Sequence, residues 1–145
     1  MSWFKKKKHS KEKIIYFPPK DINPETPASQ VSDERFEYLV DYAYKQIPPK
    51  ISKHIQNVSI VIDPVYNPRL LGLFQGVPKT KHLNNQGGHL PEVITLYRET
   101  LKSVTKTEED LYEQTRKTLF HEIGHYLGCL LYTSDAADEG LGGDF

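Results

Sequence analysis

The sequence predicts an α+β domain in which two helices enclose a group of short strands. The first observation is a helical repeat of apolar residues that follows Ser32. The second is a series of three β-branched or alternating segments between residues 57 and 98. The third is a long helical segment that follows Thr107 and begins with three acidic residues. Together they predict one folded unit over residues 33–128.

Residues 1–32 are predicted to form a flexible leader before this domain. The segment is rich in Lys, Pro and Ser, and its charge is concentrated in a basic run, Lys5–Lys8. Trp3 and Phe4 beside that run are only two apolar residues, so a solvated tail is favoured over contact with a membrane surface. No apolar stretch has the length of a signal peptide core or a membrane span. We therefore expect no membrane partner.

The first helix is predicted to begin near Glu34, because Ser32 and Asp33 can cap its N-terminus. Pro48 and Pro49 end it, because proline cannot continue a helix interior. One apolar stripe should face the core. Its members are Phe36, Leu39, Val40, Ala43, Tyr44 and Ile47.

Three strands are predicted between the helices: Asn57–Asp63, Leu70–Phe74 and Val93–Arg98. A polar loop, Pro78–Gly88, separates the second strand from the third. The intervening residues Gln75–Pro78 have two interpretations of equal weight. They either line a groove beside the last helix or simply shape a turn.

The last helix is predicted to extend from Thr107, its N-cap, to about Gly128. The acidic residues of its first turn suit the positive end of the helix dipole. Its inward residues share neighbouring faces. They are Leu111, Thr115, Thr118, Leu119, Glu122 and Tyr126.

This helix contains the motif His121-Glu122-Ile123-Gly124-His125. Side chains four residues apart lie on one helix face, about 5–6 Å apart at Cβ, so the two imidazoles can bind one tetrahedral Zn²⁺. Glu122 can reach a water on such an ion and serve as general base for hydrolysis. The pattern fixes only three positions, and a surface helix with two incidental histidines is the alternative interpretation.

Three blocks, Leu70–Pro78, Leu90–Arg98 and Thr118–Gly128, resemble a family of small bacterial zincin-like metallopeptidases over about residues 33–128. The resemblance implies a minimal zincin-like fold. In that fold, a small mixed sheet of three to four strands packs against an N-terminal helix and the C-terminal active-site helix. It also implies a zinc-dependent metallopeptidase acting on a peptide or protein, with His121 and His125 as metal ligands and Glu122 as the catalytic base.

The chain departs from the family pattern at the end of the motif. The family continues to an Asp that looks like the third metal ligand, and Leu131 stands at that position. A catalytic zinc site normally has three protein ligands, so we expect this chain to bind zinc weakly and to be inactive. Residues 129–139 match the translation of a transposase adapter used in sequencing libraries. Residues 129–145 are therefore predicted to be a non-native tail on a C-terminally truncated domain.

The composition also indicates which partners and which cellular location to expect. Lys and Arg total 19, as do Asp and Glu, so no nucleic-acid partner is expected. The one cysteine, Cys129, excludes a disulfide framework and favours a cytoplasmic location. His82 and His89 are predicted to be exposed loop residues, and Tyr126 a packing residue. A non-catalytic peptide-binding or regulatory module on a zincin scaffold is the alternative function. The oligomeric state and the substrate are not indicated.

Overall fold

A computed structural model describes residues 17–76 and 92–128 of the chain. These residues form the predicted α+β fold with one mixed three-stranded sheet, and they contain four α-helices where the sequence predicted two. The helices are α1 (Asp33–Lys45), α2 (Pro49–Ser52), α3 (Arg98–Ser103) and α4 (Glu108–Leu127), and the strands are β1 (Val58–Asp63), β2 (Gly72–Gln75) and β3 (Glu92–Tyr97).

The start of α1 is fixed by the predicted cap, because the Ser32 side chain accepts a hydrogen bond from the Arg35 backbone N–H at 3.0 Å. The predicted apolar stripe is buried except for Tyr44, which is half-buried. The short helix α2 was not predicted. Its first residue is Pro49. Proline is tolerated at this position because the N–H group of the first helical residue has no hydrogen-bond partner within the helix.

The sheet has the order β1-β3-β2, with β3 in the centre. Strand β1 runs parallel to β3, and β2 runs antiparallel to it. The predicted bounds of β2 are wrong by up to two residues. The Asn67 side chain accepts the backbone N–H groups of Arg69 and Leu70 at 2.8 and 3.1 Å, so a turn occupies the predicted start of the strand. Strand β3 ends at Tyr97, because α3 begins at Arg98.

The prediction of a flexible leader over residues 1–32 is wrong for residues 17–32. Pro27 forms an antiparallel bridge with Thr107, and the backbone N–H of Ala28 donates to the carbonyl of Lys106 at 2.9 Å. Ala28 and Val31 belong to the hydrophobic core. This segment therefore packs on the N-terminal end of α4. Residues 1–16 of the predicted leader lie outside the described residues.

Helix α4 has the predicted boundaries. The Thr107 side chain accepts from the Asp110 backbone N–H at 3.1 Å, and Gly128 ends the helix with φ of 70°, a left-handed conformation that favours glycine. All the residues predicted to face inward are buried. Helix α4 packs against β2, β3 and α1, which places its inward face in the centre of the core. Within the described ranges, no helix has the length and apolar character needed to cross a membrane.

Candidate metal centre

The side chains of His121, Glu122 and His125 lie together near the C-terminal end of α4, as the motif predicts. Their ligand atoms all lie within 4.8 Å of one another. The two imidazole rings meet edge to face, with 4.4 Å between their centroids. In the described part of the chain, this is the one group of three or more metal-ligating side chains.

Glu122 differs from the two histidines in its exposure to solvent. Its residue surface is 3% exposed, whereas both histidines are only half-buried. The reason is its position in the inward row of α4, four residues after Thr118 and four before Tyr126, both buried. The motif therefore consists of a carboxylate inside the core and two imidazoles at its margin.

A hydrogen bond joins the carboxylate to one of the imidazoles. The distance between His125 Nδ1 and Glu122 Oε1 is 3.1 Å. An ionised carboxylate can only accept, so the Nδ1–H group of His125 donates. In that tautomer the other ring nitrogen, Nε2, carries the lone pair that can bind a metal. Glu122 therefore orients His125 in the metal-free chain.

Strand β2 forms the wall of the site that faces Glu122. A Cβ atom added to Gly72 would lie 3.4 Å from Glu122 Cγ and 2.7 Å from Thr118 Cγ2. The absence of a side chain at Gly72 thus brings the strand backbone against the helix. The sequence placed Gly72 in a family-like block but indicated no role for it, because the contact joins residues about fifty positions apart.

Tyr126 ties the end of α4 to the sheet, as expected of a packing residue. Its ring lies 5.4 Å from the ring of Phe74 on β2. Burial raises the pKa of Tyr126, and the charge of Glu92 and a hydrogen bond to that carboxylate raise it further. Tyr126 is 3% exposed, so its hydroxyl is a structural donor to β3.

The two imidazole groups are of a type that commonly binds zinc, and they supply two protein ligands. Two Zn–N bonds of about 2.0–2.1 Å span at most about 4.2 Å. The ligand atoms of His121, Glu122 and His125 all lie within 4.8 Å of one another, so small side-chain rotations can bring the two imidazoles to one ion. Neutral imidazole nitrogens are common zinc ligands, and the Nδ1–H bond to Glu122 is a typical supporting interaction. His121 and His125 would hold the ion.

Several residues for which the sequence suggested or excluded a role lie outside the described residues. Leu131, at the family's third-ligand position, is among them. So are Cys129 and the loop histidines His82 and His89. The prediction that Leu131 leaves the site with two protein ligands stays a prediction.

Comparisons with known proteins identify the family of this chain. A family model described as zincin-like metallopeptidase matches residues 55–137, more than half of the chain. No curated protein sequence matches the chain significantly. Among solved structures, a conserved hypothetical protein from Thermus thermophilus is 25% identical, and the alignment covers 69% of this chain and 97% of that one at a TM-score of 0.49.

Proposed function

The chain belongs to the zincin-like metallopeptidase family, and on that premise we propose that α4 carries the catalytic machinery of a zinc-dependent peptidase. The observation that carries the proposal is Glu122, a carboxylate that is 3% exposed and hydrogen-bonded to a histidine of the same motif. Burial of a carboxylate is unfavourable unless hydrogen bonds or a cation compensate it. A bound cation beside His121 and His125 would supply that compensation.

Each motif residue has a separate task in this proposal. His121 and His125 hold the ion. When bound, zinc supplies Lewis-acid chemistry, which activates a water and polarises the scissile carbonyl. One oxygen of Glu122 orients His125, and the carboxylate has a second oxygen that can take a proton from the attacking water. Glu122 can then deliver that proton to the leaving amine.

The edge of β2 supports a peptide as the substrate. Among the described residues, β2 pairs with β3 alone, and it lies directly against the active-site helix. An extended peptide can add to such an edge through backbone hydrogen bonds. Gln75, at the end of β2, is exposed, and the strand passes Glu122 at Gly72. A peptide on this edge would therefore run past the general base.

We expect the present chain to lack turnover, because position 131 is Leu and two histidines alone bind zinc weakly. The test compares the unchanged chain with Leu131→Asp, by zinc content after dialysis and by hydrolysis of labelled casein. We expect little retained zinc and no cleavage for the first, and stoichiometric zinc with cleavage for the second. Hydrolysis by the unchanged chain that is lost in Glu122→Gln would refute the expected inactivity.

The role of Glu122 is tested in the Leu131→Asp background. Glu122→Gln should keep the zinc and lower kcat by about 10²–10⁴-fold, because it removes the general base. Glu109→Gln, an exposed change on the same helix, is the matched control and should leave kcat unchanged. Cleavage that persists in Glu122→Gln would exclude the proposed mechanism. Zinc that stays substoichiometric in Leu131→Asp would exclude position 131 as the third ligand.

The alternative function is a non-catalytic peptide-binding or regulatory module on a zincin scaffold. Zinc-independent binding of an extended peptide, unaffected by Glu122→Gln, would support the module. We also propose that residues 129–145 are not native. Amplification across the Gly128 junction from genomic DNA decides this, and a natural Asp or His at position 131 would favour the enzyme. Cytoplasmic location and the lack of a nucleic-acid partner remain parts of the proposal.

A further inference from the structure

We propose that Gly72 is a positioning residue for the general base, because its missing side chain lets α4 lie close enough to β2 to hold the arm of Glu122. The inference rests on the proposed function only in naming Glu122 the base. The contacts that carry it are those of the metal-free chain.

The space beside Gly72 is closed on two sides. A Cβ atom at this position would lie 2.7 Å from Thr118 Cγ2 and 3.2 Å from the carbonyl oxygen of Thr95. The first distance is one that real Cβ atoms essentially never show. The second neighbour is backbone of the central strand, which is paired on both sides. The sheet therefore leaves little room on this side, and the contact that a side chain at Gly72 cannot make without movement is the one with Thr118 Cγ2.

Thr118 cannot move aside easily. It is 6% exposed, and its hydroxyl accepts a hydrogen bond from Gln114 Nε2 at 3.3 Å. Threonine in a helix has few χ1 rotamers, and rotation would break this bond or move Cγ2 into other packed atoms. The remaining response is withdrawal of α4 from β2. A withdrawal of about 0.7 Å restores ordinary contact, since it is the difference between 2.7 Å and the 3.4 Å at which ordinary contact begins.

Withdrawal would release the arm of Glu122. A Cβ atom at Gly72 would lie 3.4 Å from Glu122 Cγ, an ordinary packing distance, so the side chain of Glu122 lies beside this point of the strand. On its other side, the carboxylate contacts His125 Nδ1 at 3.1 Å. When α4 shifts, Glu122 no longer packs beside β2 in its present rotamer, and other rotamers become accessible to it. The fraction of molecules that hold His125 in the Nδ1–H tautomer then falls.

The test uses the full metal-free chain and reads the tautomer of His125 by long-range ¹H–¹⁵N NMR. We expect Gly72→Ala to lower the ratio of Nδ1–H to Nε2–H about tenfold, equivalent to about 1.4 kcal/mol and close to the low end for a hydrogen bond to a charged group. The affinity for added Zn²⁺ should fall by a similar factor, because supporting interactions of metal ligands contribute about 10–100-fold.

Rescue distinguishes positioning from a general loss of stability. Gly72→Ala/Thr118→Ser removes the Cγ2 atom but keeps the hydroxyl, and it should restore both the tautomer ratio and the Zn²⁺ affinity. Leu39→Ala is the matched control, because it creates a buried cavity on a different element, α1, and should leave the tautomer unchanged.

Three outcomes would overturn the proposal: a wild-type tautomer in Gly72→Ala, an unrescued double variant, or the same tautomer change in Leu39→Ala. If Gly72→Ala does not fold, the double variant Gly72→Ala/Thr118→Ser is measured in its place. The proposal then requires that this variant folds and shows the wild-type tautomer, and any other result also overturns the proposal. The tautomer is measured without metal or substrate. Lack of peptidase activity would therefore refute the proposed function and leave this result interpretable.

Discussion

Replacing Arg35 with Met should destabilise the domain, because it would leave the Glu108 carboxylate buried without its cation. The Glu108 side chain is 6% exposed, and the Arg35 side chain is 25% exposed. Glu108 Oε2 accepts from Arg35 Nε at 3.1 Å, from Arg35 Nη2 at 2.5 Å and from the backbone N–H of Asn23 at 3.3 Å. One carboxylate therefore joins α1, α4 and the segment of residues 17–32.

The magnitude follows from this burial. Removal of one partner from a fully buried ion pair costs about 3–5 kcal/mol. Because a quarter of the Arg35 side chain is exposed, water can partly compensate the remaining charge, and we expect a loss of about 2–4 kcal/mol. The hydrogen bond with Glu108 raises the pKa of Arg35, and it keeps the guanidinium charged.

Urea denaturation followed by circular dichroism measures this loss, and three variants complete the design. In Arg35→Met/Glu108→Leu no buried charge is left alone, so the double variant should be more stable than Arg35→Met. Lys45→Met is the control, since it breaks an ion pair with Asp41 in which both side chains are more than half exposed, and it should cause no measurable loss. Equal stability of Arg35→Met and Lys45→Met would refute the reasoning.

Two further variants test the N-terminal half of α4. Thr107→Ala should lower the free energy of unfolding by about 0.5–2 kcal/mol, because it removes the acceptor for the Asp110 N–H; an unchanged urea midpoint would contradict the assigned cap. Burial raises the pKa of Tyr112 from 10.0 to about 12, so the stability due to its neutral form is complete below pH 10 and is lost as pH rises through 12. Relative to Tyr112→Phe, the wild-type chain should therefore lose about 2–3 kcal/mol between these pH values, and parallel pH profiles of the two proteins would contradict this.

The parts of the fold that sequence could predict are those determined by neighbouring residues. Ser32 and Thr107 are caps whose partners lie three residues away, so the starts of α1 and α4 were predictable. The prolines before residue 33 suggested a flexible leader. Residues 17–32 are instead held in place by contacts with residues about eighty positions later, such as the bridge between Pro27 and Thr107. Composition carries no signal for a contact of that kind.

The candidate metal centre also has features that the sequence could predict and one that it could not. The spacing of His121 and His125 is a property of any helix, so the sequence sufficed to bring the two imidazoles together. The burial of Glu122 also followed from its place in the inward row of α4. The wall at Gly72 could not be predicted, because a glycine in a strand gives no indication of which atoms approach it across the core.

The difference between features of α4 alone and contacts of α4 with the sheet determines how the candidate metal centre should be assayed. A partly folded chain that retains α4 keeps both histidines on one face, so under the proposed function it would still bind zinc even where Glu122 is not buried. The burial of the carboxylate requires the sheet to pack on α4, because Gly72 of β2 lies beside the side chain of Glu122. Zinc content alone therefore tests the helix. The Nδ1–H tautomer of His125, which reports the contact with Glu122, tests whether the helix and the sheet together hold this carboxylate in position.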